Sequence, residues 1–325
     1  MLTVPVDCPI LFFGGKGGVG KTTMASAAAL QLAAEGHKTL LVSTDPAHST
    51  SDILQHELGP EPSPVAPGCW AMEIDPEREA DDYIAGVKAR IADAVPPRLL
   101  VEVDRQIDIA RVSPGAVEAA LFDRFTRILE EEAGEFDRIV FDTAPTGQTL
   151  RLLSLPELMT AWMSGLIKRR RKVSAMAKMW RTVAGTEQTE EDHEDPILTA
   201  LEDRRARFER ARVTLTDPKR TAFVFVLIPE RLPIWETETA VEALSKHGIP
   251  VGAIIVNQIL PDPEPGAPEA RFLAARRERE RDYLARILEN LGDWPLLGVR
   301  LQETDPVGVD ALGRVRTEVL EEASI

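Results

Sequence analysis

A glycine-rich run between an apolar segment and a helix-length segment constrains the fold of this 325-residue chain more than any other feature. Residues 15–22 read GKGGVGKT and fit the pattern G-x-x-x-x-G-K-[ST]. An apolar stretch, residues 10–13, precedes the run, and a helix is predicted over residues 20–35 with Gly36 as its C-terminal stop. Such a run typically binds phosphate through backbone N–H groups at the start of the helix. The sequence therefore predicts a strand, a phosphate-binding loop and a helix, in that order.

The side chains of this loop predict a site for a nucleotide and its metal ion. Lys21 is placed to reach the β- and γ-phosphates, and the Thr22 hydroxyl to ligate Mg²⁺. Lys16 lies inside the loop; it either serves the site of another subunit or is an ordinary solvated lysine. The candidate phosphate-binding residues are Gly15, Lys16, Gly17, Gly18, Val19, Gly20, Lys21, Thr22 and Thr23.

Two aspartates come directly after predicted strands. Asp142 follows the apolar residues 139–141, and Asp45 follows residues 40–44. Because parallel strands end at one edge of a sheet, where open α/β folds bind ligands, both carboxylates are expected near the loop. One would shape the Mg²⁺ shell, and the other would orient or deprotonate the attacking water. Each is also compatible with a helix cap or a turn.

Apolar, β-branched runs alternate with helix-length segments along the chain. The predicted strands cover residues 10–13, 39–43, 71–74, 138–141, 221–228, 253–256 and 296–299. The predicted helices cover residues 20–35, 76–94, 114–132, 233–246, 269–291 and 306–321. This alternation predicts an α/β fold of the P-loop NTPase kind, with a mostly parallel central sheet flanked by helices.

The chain between the strands at 138–141 and 221–228 is longer than one crossover needs. We expect an inserted α-helical subdomain at residues 155–213, within a single P-loop domain of residues 1–325. Apolar residues at helical spacing open the insertion, and they are compatible with a core or with an exposed surface. The basic cluster at residues 168–172 is typical of a solvated face and also compatible with a membrane receptor or anionic lipid.

Composition excludes several classes of protein. A formal net charge of −15 disfavours nucleic acid as the main partner. The longest apolar run, residues 222–229, is far shorter than the ~20 residues that span a bilayer, and the N-terminal residues lack the basic start of a signal peptide. The only cysteines, Cys8 and Cys69, fit a reducing compartment without disulfides. We therefore expect a cytoplasmic protein.

Four motifs together resemble the ArsA-type ATPases. They are GGKGGVGKTT at residues 14–23, DPAHST at 45–50, DTAPTGQTLRLL at 142–153 and VNQ at 256–258, in order over most of the chain. This family, within the deviant Walker A class, includes the arsenite-pump ATPase and the guided-entry ATPase that delivers tail-anchored membrane proteins. The resemblance implies a homodimer that uses ATP and Mg²⁺ and hydrolyses ATP to ADP and phosphate.

The resemblance also implies roles for particular residues. Lys16 would cross the dimer interface onto the partner's nucleotide, and with Lys21 and Asp45, the residue that activates water, it forms the candidate catalytic set. Asp142 would support Mg²⁺ through water, beside the ligand Thr22. Asn257 would contact adenine, chemically reasonable for a carboxamide. Residues 300–309 would lie beside the base, and residues 155–213 would form a groove for a hydrophobic transmembrane helix.

Three departures from the family pattern bear on function. Gln148 stands in the second switch where histidine is common, which removes a titrating group. Ala270 and Leu273 stand at the positions of a CxxC pair that binds zinc across the dimer, so no zinc is expected. Cys8 and Cys69 are too few for a three-thiolate arsenite site in one chain.

These observations favour a targeting factor or chaperone for tail-anchored or other hydrophobic membrane proteins, with a transmembrane-helix client or a membrane partner protein. The alternative is the ATPase subunit of an arsenite or anion efflux pump. A partitioning-type positioning ATPase is a minor alternative, since a division-site member would need a basic amphipathic C-terminal helix and this chain ends with acidic residues around 318–322.

Overall fold

The computed structural model describes residues 4–5, 7–44, 49–92, 105, 116–131, 134–143, 164, 167–168, 196–261 and 271–321. The described strands are β1 Ile10–Gly14, β2 Thr39–Ser43, β3 Ser63–Ala66, β4 Cys69–Glu73, β5 Arg138–Asp142, β6 Thr221–Leu227, β7 Val251–Ile259, β8 Leu296–Arg300 and β9 Glu318–Val319. The described helices are α1 Lys21–Ala34, α2 Ser49–Leu54, α3 Pro76–Ala92, α4 Ala116–Glu131, α5 Pro196–Thr216, α6 Arg231–Lys246, α7 Arg271–Leu291 and α8 Val309–Leu312.

The strands form one sheet in the order β3-β4-β2-β5-β1-β6-β7-β8-β9. Every neighbouring pair from β4 to β8 is parallel, whereas β3 and β9 pair antiparallel with the two ends of that set. All seven predicted strands are present, and they read as continuous apolar runs because helices cover both faces of such a sheet. The predicted α/β fold with a mostly parallel sheet is confirmed.

Strand β1 lies inside the sheet between β5 and β6, and its side chains anchor the core. Phe12 is level with Phe141 on β5 and with Phe223 on β6. The ring of Phe12 stacks on both, with centroids 4.8 Å from Phe141 and 5.8 Å from Phe223. Since all three rings are almost fully buried, they fix the strand from which the glycine-rich loop emerges.

The same register brings three strand ends to one edge of the sheet. Asp142, the last residue of β5, pairs with Phe13 on β1 and with Ser43 on β2. The phosphate loop follows β1, and the segment with Asp45 follows β2. The chain therefore gathers the loop, Asp142 and the start of the Asp45 segment at the carboxyl ends of neighbouring parallel strands, where open α/β folds place their ligands.

The chain divides into two compact units. The first comprises Met1–Asp75, Glu130–Arg151 and Thr214–Ile325, and it contains the sheet. The second comprises Pro76–Leu129 and Leu152–Val213, so the predicted insertion at 155–213 falls in the same unit as an earlier part of the chain. Most of residues 155–195 lies outside the described residues. This includes the apolar residues at helical spacing over 155–180, the apolar stripe, with the exception of Ile167. The boundaries of the insertion stay a prediction.

The second unit has a core and an ionic network of its own. The buried rings of Phe122 on α4 and Phe208 on α5 meet edge to face, with centroids 4.9 Å apart. Arg204 on α5 donates to the Asp123 carboxylate on α4 at 2.8 Å. The Arg204 guanidinium also lies 4.5 Å from the ring centre of Tyr83 on α3. These contacts join the three described helices of the unit. None of the helices in the described ranges is both long enough and apolar enough to span a membrane.

The predicted helix at residues 306–321 is wrong. The helix there covers only Val309–Leu312, and Glu318–Val319 forms β9 instead. Val319 and Glu318 pair with Leu297 and Gly298 on β8, and the Leu320 N–H donates to the Leu296 carbonyl at 3.0 Å. The open edge of β8 offers backbone partners to this β-branched stretch, and this tertiary contact outweighs the helical pattern.

Candidate nucleotide site

Close backbone packing determines the shape of the glycine-rich loop. Gly15 has a φ of 151°, and a Cβ there would collide with the carbonyl oxygen of Val226 on β6. Gly20 has a left-handed φ of 91° at the start of α1, and a Cβ there would collide with the side-chain amide of Asn257 on β7. Both positions therefore require glycine for two independent reasons. Around Gly17 and Gly18, by contrast, the space is open.

Lys21 and Thr22 open α1 and are both buried. The Lys21 ammonium donates to the main-chain carbonyl of Lys16 at 3.2 Å, so it lies over the loop rather than in solvent. The Thr22 hydroxyl lies 3.1 Å from the hydroxyl of Ser49, the first residue of α2. A cation and a hydroxyl at the start of a helix, beside a loop of N–H groups, suit a phosphate with its metal ion.

Asp142 is fully buried and has contacts to two sides. Its main-chain carbonyl accepts from the Thr44 N–H at 2.9 Å, which joins it to the residue before Asp45. The Thr50 hydroxyl donates to one carboxylate oxygen at 3.5 Å. The next residue, Thr143, donates its hydroxyl to the Phe13 carbonyl at 2.7 Å. The carboxylate is thus positioned between the strand of the loop and the strand of the Asp45 segment. Asp45 itself and Gln148 lie outside the described residues.

Asn257 braces the loop from β7. Its side-chain N–H donates to the Val19 carbonyl at 2.9 Å, and its side-chain oxygen accepts from the Gln258 N–H at 2.9 Å. Asn257 is only 7% exposed, and Gln258 has a left-handed φ of 57°. A carboxamide nitrogen has two donors, so one remains for another acceptor.

A cleft of about 360 Å³ opens beside the loop. Its lining includes Lys21, Thr22 and Asn257, together with residues that follow β8, among them Leu301 and Pro306. The latter segment is the one that the resemblance puts beside the base. The volume falls within the range of about 300–1,000 Å³ usual for small-molecule sites.

Lys16 has a different environment from Lys21. Its ammonium lies 3.5 Å from the carboxylate of Glu236 on α6, and both side chains are about one-third exposed, at 30% and 32%. Next to Glu236 on the same helix, Trp235 is 57% exposed.

The sequence reasoning did not find the hydroxyl residues of α2. Ser49 contacts Thr22, Thr50 contacts Asp142, and Ser51 bonds the buried carboxylate of Glu73 through its N–H at 2.9 Å and its hydroxyl at 2.8 Å. The signal that was available is the run of three hydroxyl residues at 49–51, directly after the DPAH segment.

Comparison with known proteins identifies the family. Residues 8–321 match the ArsA ATPase family, whose members are described as anion-transporting ATPases. The chain belongs to this family. It is therefore an ATP hydrolase of the ArsA type, and it binds a nucleotide.

Individual relatives of this ArsA-type ATPase carry two kinds of name. The chain is 35% identical to "Putative arsenical pump-driving ATPase 2" of Aquifex aeolicus, over 93% of its own length and 96% of that protein. It is 35% identical to "ATPase GET3A" of Arabidopsis thaliana, over 93% of its own length and 81% of that protein. The chain is also 34% identical to the Escherichia coli "Arsenical pump-driving ATPase", over 94% of its own length. The matched region is only 48% of that larger protein.

The assignment of Asn257 to adenine generates a first prediction. Asn257→Ala should weaken ATP binding by about tenfold, because the buried Val19 carbonyl in the phosphate loop loses the donor that holds it in place. It should also reduce the preference for ATP over GTP, because the adenine edge loses its partner. Competition binding of the two nucleotides measures both effects. Asn290→Ala, which removes an amide bonded to Glu238 instead, is the control. An equal fall in both affinities would contradict the adenine contact.

Proposed function

We propose that two copies of this chain form a Mg²⁺-dependent ATPase whose nucleotide state controls the binding of a hydrophobic transmembrane helix. The observation that carries the proposal is that Lys21, Thr22, Asp142 and Thr44, the residue before Asp45, lie at one sheet edge beside an open loop. Family membership adds ATP hydrolysis, and the resemblance to the guided-entry branch adds the client.

The residues at this edge suit Mg²⁺. This ion prefers oxygen ligands and is usually held by one or two carboxylates, waters and the phosphates of the substrate. Thr22 supplies a hydroxyl and Asp142 a buried carboxylate, and both contact the adjacent residues Ser49 and Thr50. When bound, the ion would neutralise charge on the β- and γ-phosphates.

The remaining residues of the site would bind the phosphates, orient the attacking water and accept its proton. The N–H groups of the loop and the start of α1 would cradle the phosphates, and Lys21 would leave the Lys16 carbonyl for the γ-phosphate. Asp45 would orient the attacking water and accept its proton. The Thr44 N–H donates a hydrogen bond to the Asp142 carbonyl. A shift of Asp142 on loss of the γ-phosphate would therefore also move the segment that follows Thr44.

The environment of Lys16 supports a role across a dimer interface. Its ammonium has only a partly exposed partner, Glu236, and such pairs contribute little, about 0–1 kcal/mol. A phosphate of the nucleotide bound to a second copy would attract the Lys16 ammonium more strongly than the Glu236 carboxylate does, since charge-assisted contacts to phosphate strengthen in a closed site. Lys16 would then act on the partner's nucleotide as a cation supplied in trans.

The two lysines make separable predictions. Lys21→Ala should abolish ATP binding or slow turnover by at least about 100-fold, because the phosphates lose their direct cation. Lys16→Ala should leave ATP binding nearly unchanged and lower kcat by about 10³-fold, the scale of a lost trans cation. Steady-state ATPase assays and equilibrium binding measure the two effects.

The matched control for both variants is Lys246→Ala, which removes an exposed lysine paired with Glu242 on the helix that carries Glu236. Unchanged turnover in Lys21→Ala would refute the site. A normal rate in Lys16→Ala would refute the dimer mechanism.

The client part of the proposal rests on the apolar stripe of residues 155–180 and on relatives in the guided-entry branch. In the described ranges, the stripe is represented by Ile167, which is buried, and the basic cluster by Lys168, which is exposed. Methionine and tryptophan in such a stripe would adapt to varied apolar helices. The second unit, with its own core, would carry this surface.

Client binding should depend on the nucleotide state. The Asp45→Asn variant, which keeps the phosphate loop but cannot activate water, should retain a protein that ends in an apolar helix of ~20 residues when ATP is present. Lys21→Ala should fail to retain it. Quantitative co-purification measures this, with the same client carrying lysines in its helix as the control. Equal retention by both variants, or of the charged helix, would contradict the client role.

An arsenite-dependent role is the second candidate, because relatives from Aquifex aeolicus and Escherichia coli are named arsenical pump-driving ATPases. Arsenite binds thiolates, and both cysteines of this chain are buried. Burial raises the pKa of the Cys69 thiol to about 12. Burial, and next the charge of Asp7, raise the pKa of Cys8. Both thiols therefore stay protonated near neutral pH, which disfavours this role.

Arsenite should consequently leave the ATPase rate unchanged within experimental error. The assay compares wild type and Cys69→Ser with and without arsenite, at fixed Mg²⁺ and ATP. Several-fold activation of the wild type that disappears in Cys69→Ser would favour the efflux role instead.

A further inference from the structure

Two neighbouring hydroxyl residues link the start of α2 to both side chains expected at the metal ion. The Ser49 hydroxyl lies 3.1 Å from that of Thr22, and the Thr50 hydroxyl donates to Asp142 at 3.5 Å. The first contact joins residues 27 positions apart, and the second joins residues 92 positions apart. The same short segment therefore touches the loop helix and the end of β5.

We propose that Ser49 is a positioning residue, which orients the Thr22 hydroxyl so that its lone pair faces Mg²⁺. This inference rests on the proposed function, because it assumes that Thr22 ligates the ion. It goes beyond that function by giving a role to a residue that the phosphate-loop motif does not contain.

The donor and acceptor capacity of a hydroxyl supports this role. Thr22 has one O–H donor and two lone pairs. A hydroxyl that gives a lone pair to a cation has to send its proton away from the cation, toward an acceptor. In the described part of the chain, the Ser49 hydroxyl lies within hydrogen-bonding distance of Thr22, and either hydroxyl can donate in this contact. With the ion bound, Thr22 has to be the donor and Ser49 the acceptor. With the proton directed to Ser49, a lone pair of Thr22 is available for the ion before it arrives.

The position of Ser49 in the chain gives this contact a second consequence. Ser49 comes four residues after Asp45, so its contact with Thr22 connects the water-activating segment to the metal ligand. Thr50 makes the longer and hence weaker contact, to a carboxylate that needs no proton directed away from the ion. Of these two hydroxyl residues, Ser49 is therefore the one whose removal should affect metal binding more.

The test is a Mg²⁺ titration of fluorescent ADP binding to the full-length protein. Ser49→Ala should raise the Mg²⁺ concentration that gives half-maximal binding by about tenfold, the lower end of effects seen when partners of metal ligands are removed. ADP affinity in EDTA should stay the same, because the loop and Lys21 are untouched. Ser49→Thr, which restores a hydroxyl, should return the Mg²⁺ midpoint to that of the wild type.

Ser51→Ala is the matched control. It removes a hydroxyl from the same helix two residues later, but that hydroxyl bonds Glu73 rather than a metal-site residue. Its Mg²⁺ midpoint should match the wild type. Should Ser49→Ala prove unstable in thermal melting, Ser49→Cys preserves the size of the side chain while offering a weak acceptor, and it should shift the midpoint in the same direction.

The outcomes separate this inference from the proposed function. Nucleotide binding to the wild type that ignores Mg²⁺ would refute the metal site itself. Mg²⁺-dependent binding with the same midpoint in Ser49→Ala would overturn the role of Ser49 and leave the ATPase site standing. An equal shift in Ser51→Ala would also overturn it, since the effect would then belong to α2 as a whole.

Discussion

The close packing around two glycines of the phosphate loop is the constraint on which the rest of the structure depends. Gly15 lies against the main-chain carbonyl of Val226, and Gly20 lies against the side-chain amide of Asn257, so neither position tolerates a side chain. Both contacts come from strands on the β6 side of β1. The ring of Phe12, stacked on Phe141 and Phe223, holds β1, from which the loop emerges, between its neighbouring strands. Open space remains around Gly17 and Gly18, where the proposed phosphates would fit.

The order of the strands gives this loop its chemical partners. β5 lies between β1 and β2, so Asp142 is beside both the loop strand and the residues that lead to Asp45. The Ser49 hydroxyl in turn contacts the Thr22 hydroxyl at the start of α1. Thr22, Ser49, Thr50, Asp142 and Thr44 thus share one connected set of contacts. Under the proposed function, the phosphates and the metal ion would lie beside this set, and a change in the nucleotide would reach the chain beyond the site through it. Lys16 lies apart from this set, where its ammonium pairs with the partly exposed carboxylate of Glu236.

The sequence predicted what depends on local pattern and missed what depends on register. Buried parallel strands read as continuous apolar runs, and the loop motif carries its own geometry, so the sheet and the loop were both predicted. The contacts of Ser49 with Thr22 and of Lys16 with Glu236 join segments distant in sequence, which no local pattern reveals. The prediction of a helix at 306–321 was wrong for the same reason, because Glu318–Val319 pairs as a strand with the edge of β8.

The central claim is that a site on one copy is completed by Lys16 of another, and mixing two inactive variants tests it most directly. Lys16→Ala keeps an intact phosphate site but lacks the trans lysine, whereas Lys21→Ala keeps Lys16 but lacks the phosphate site. In an equal mixture, random pairing should restore about a quarter of the wild-type ATPase rate, because half of the dimers are mixed and each has one complete site. A mixture that stays as inactive as its two components would contradict the account.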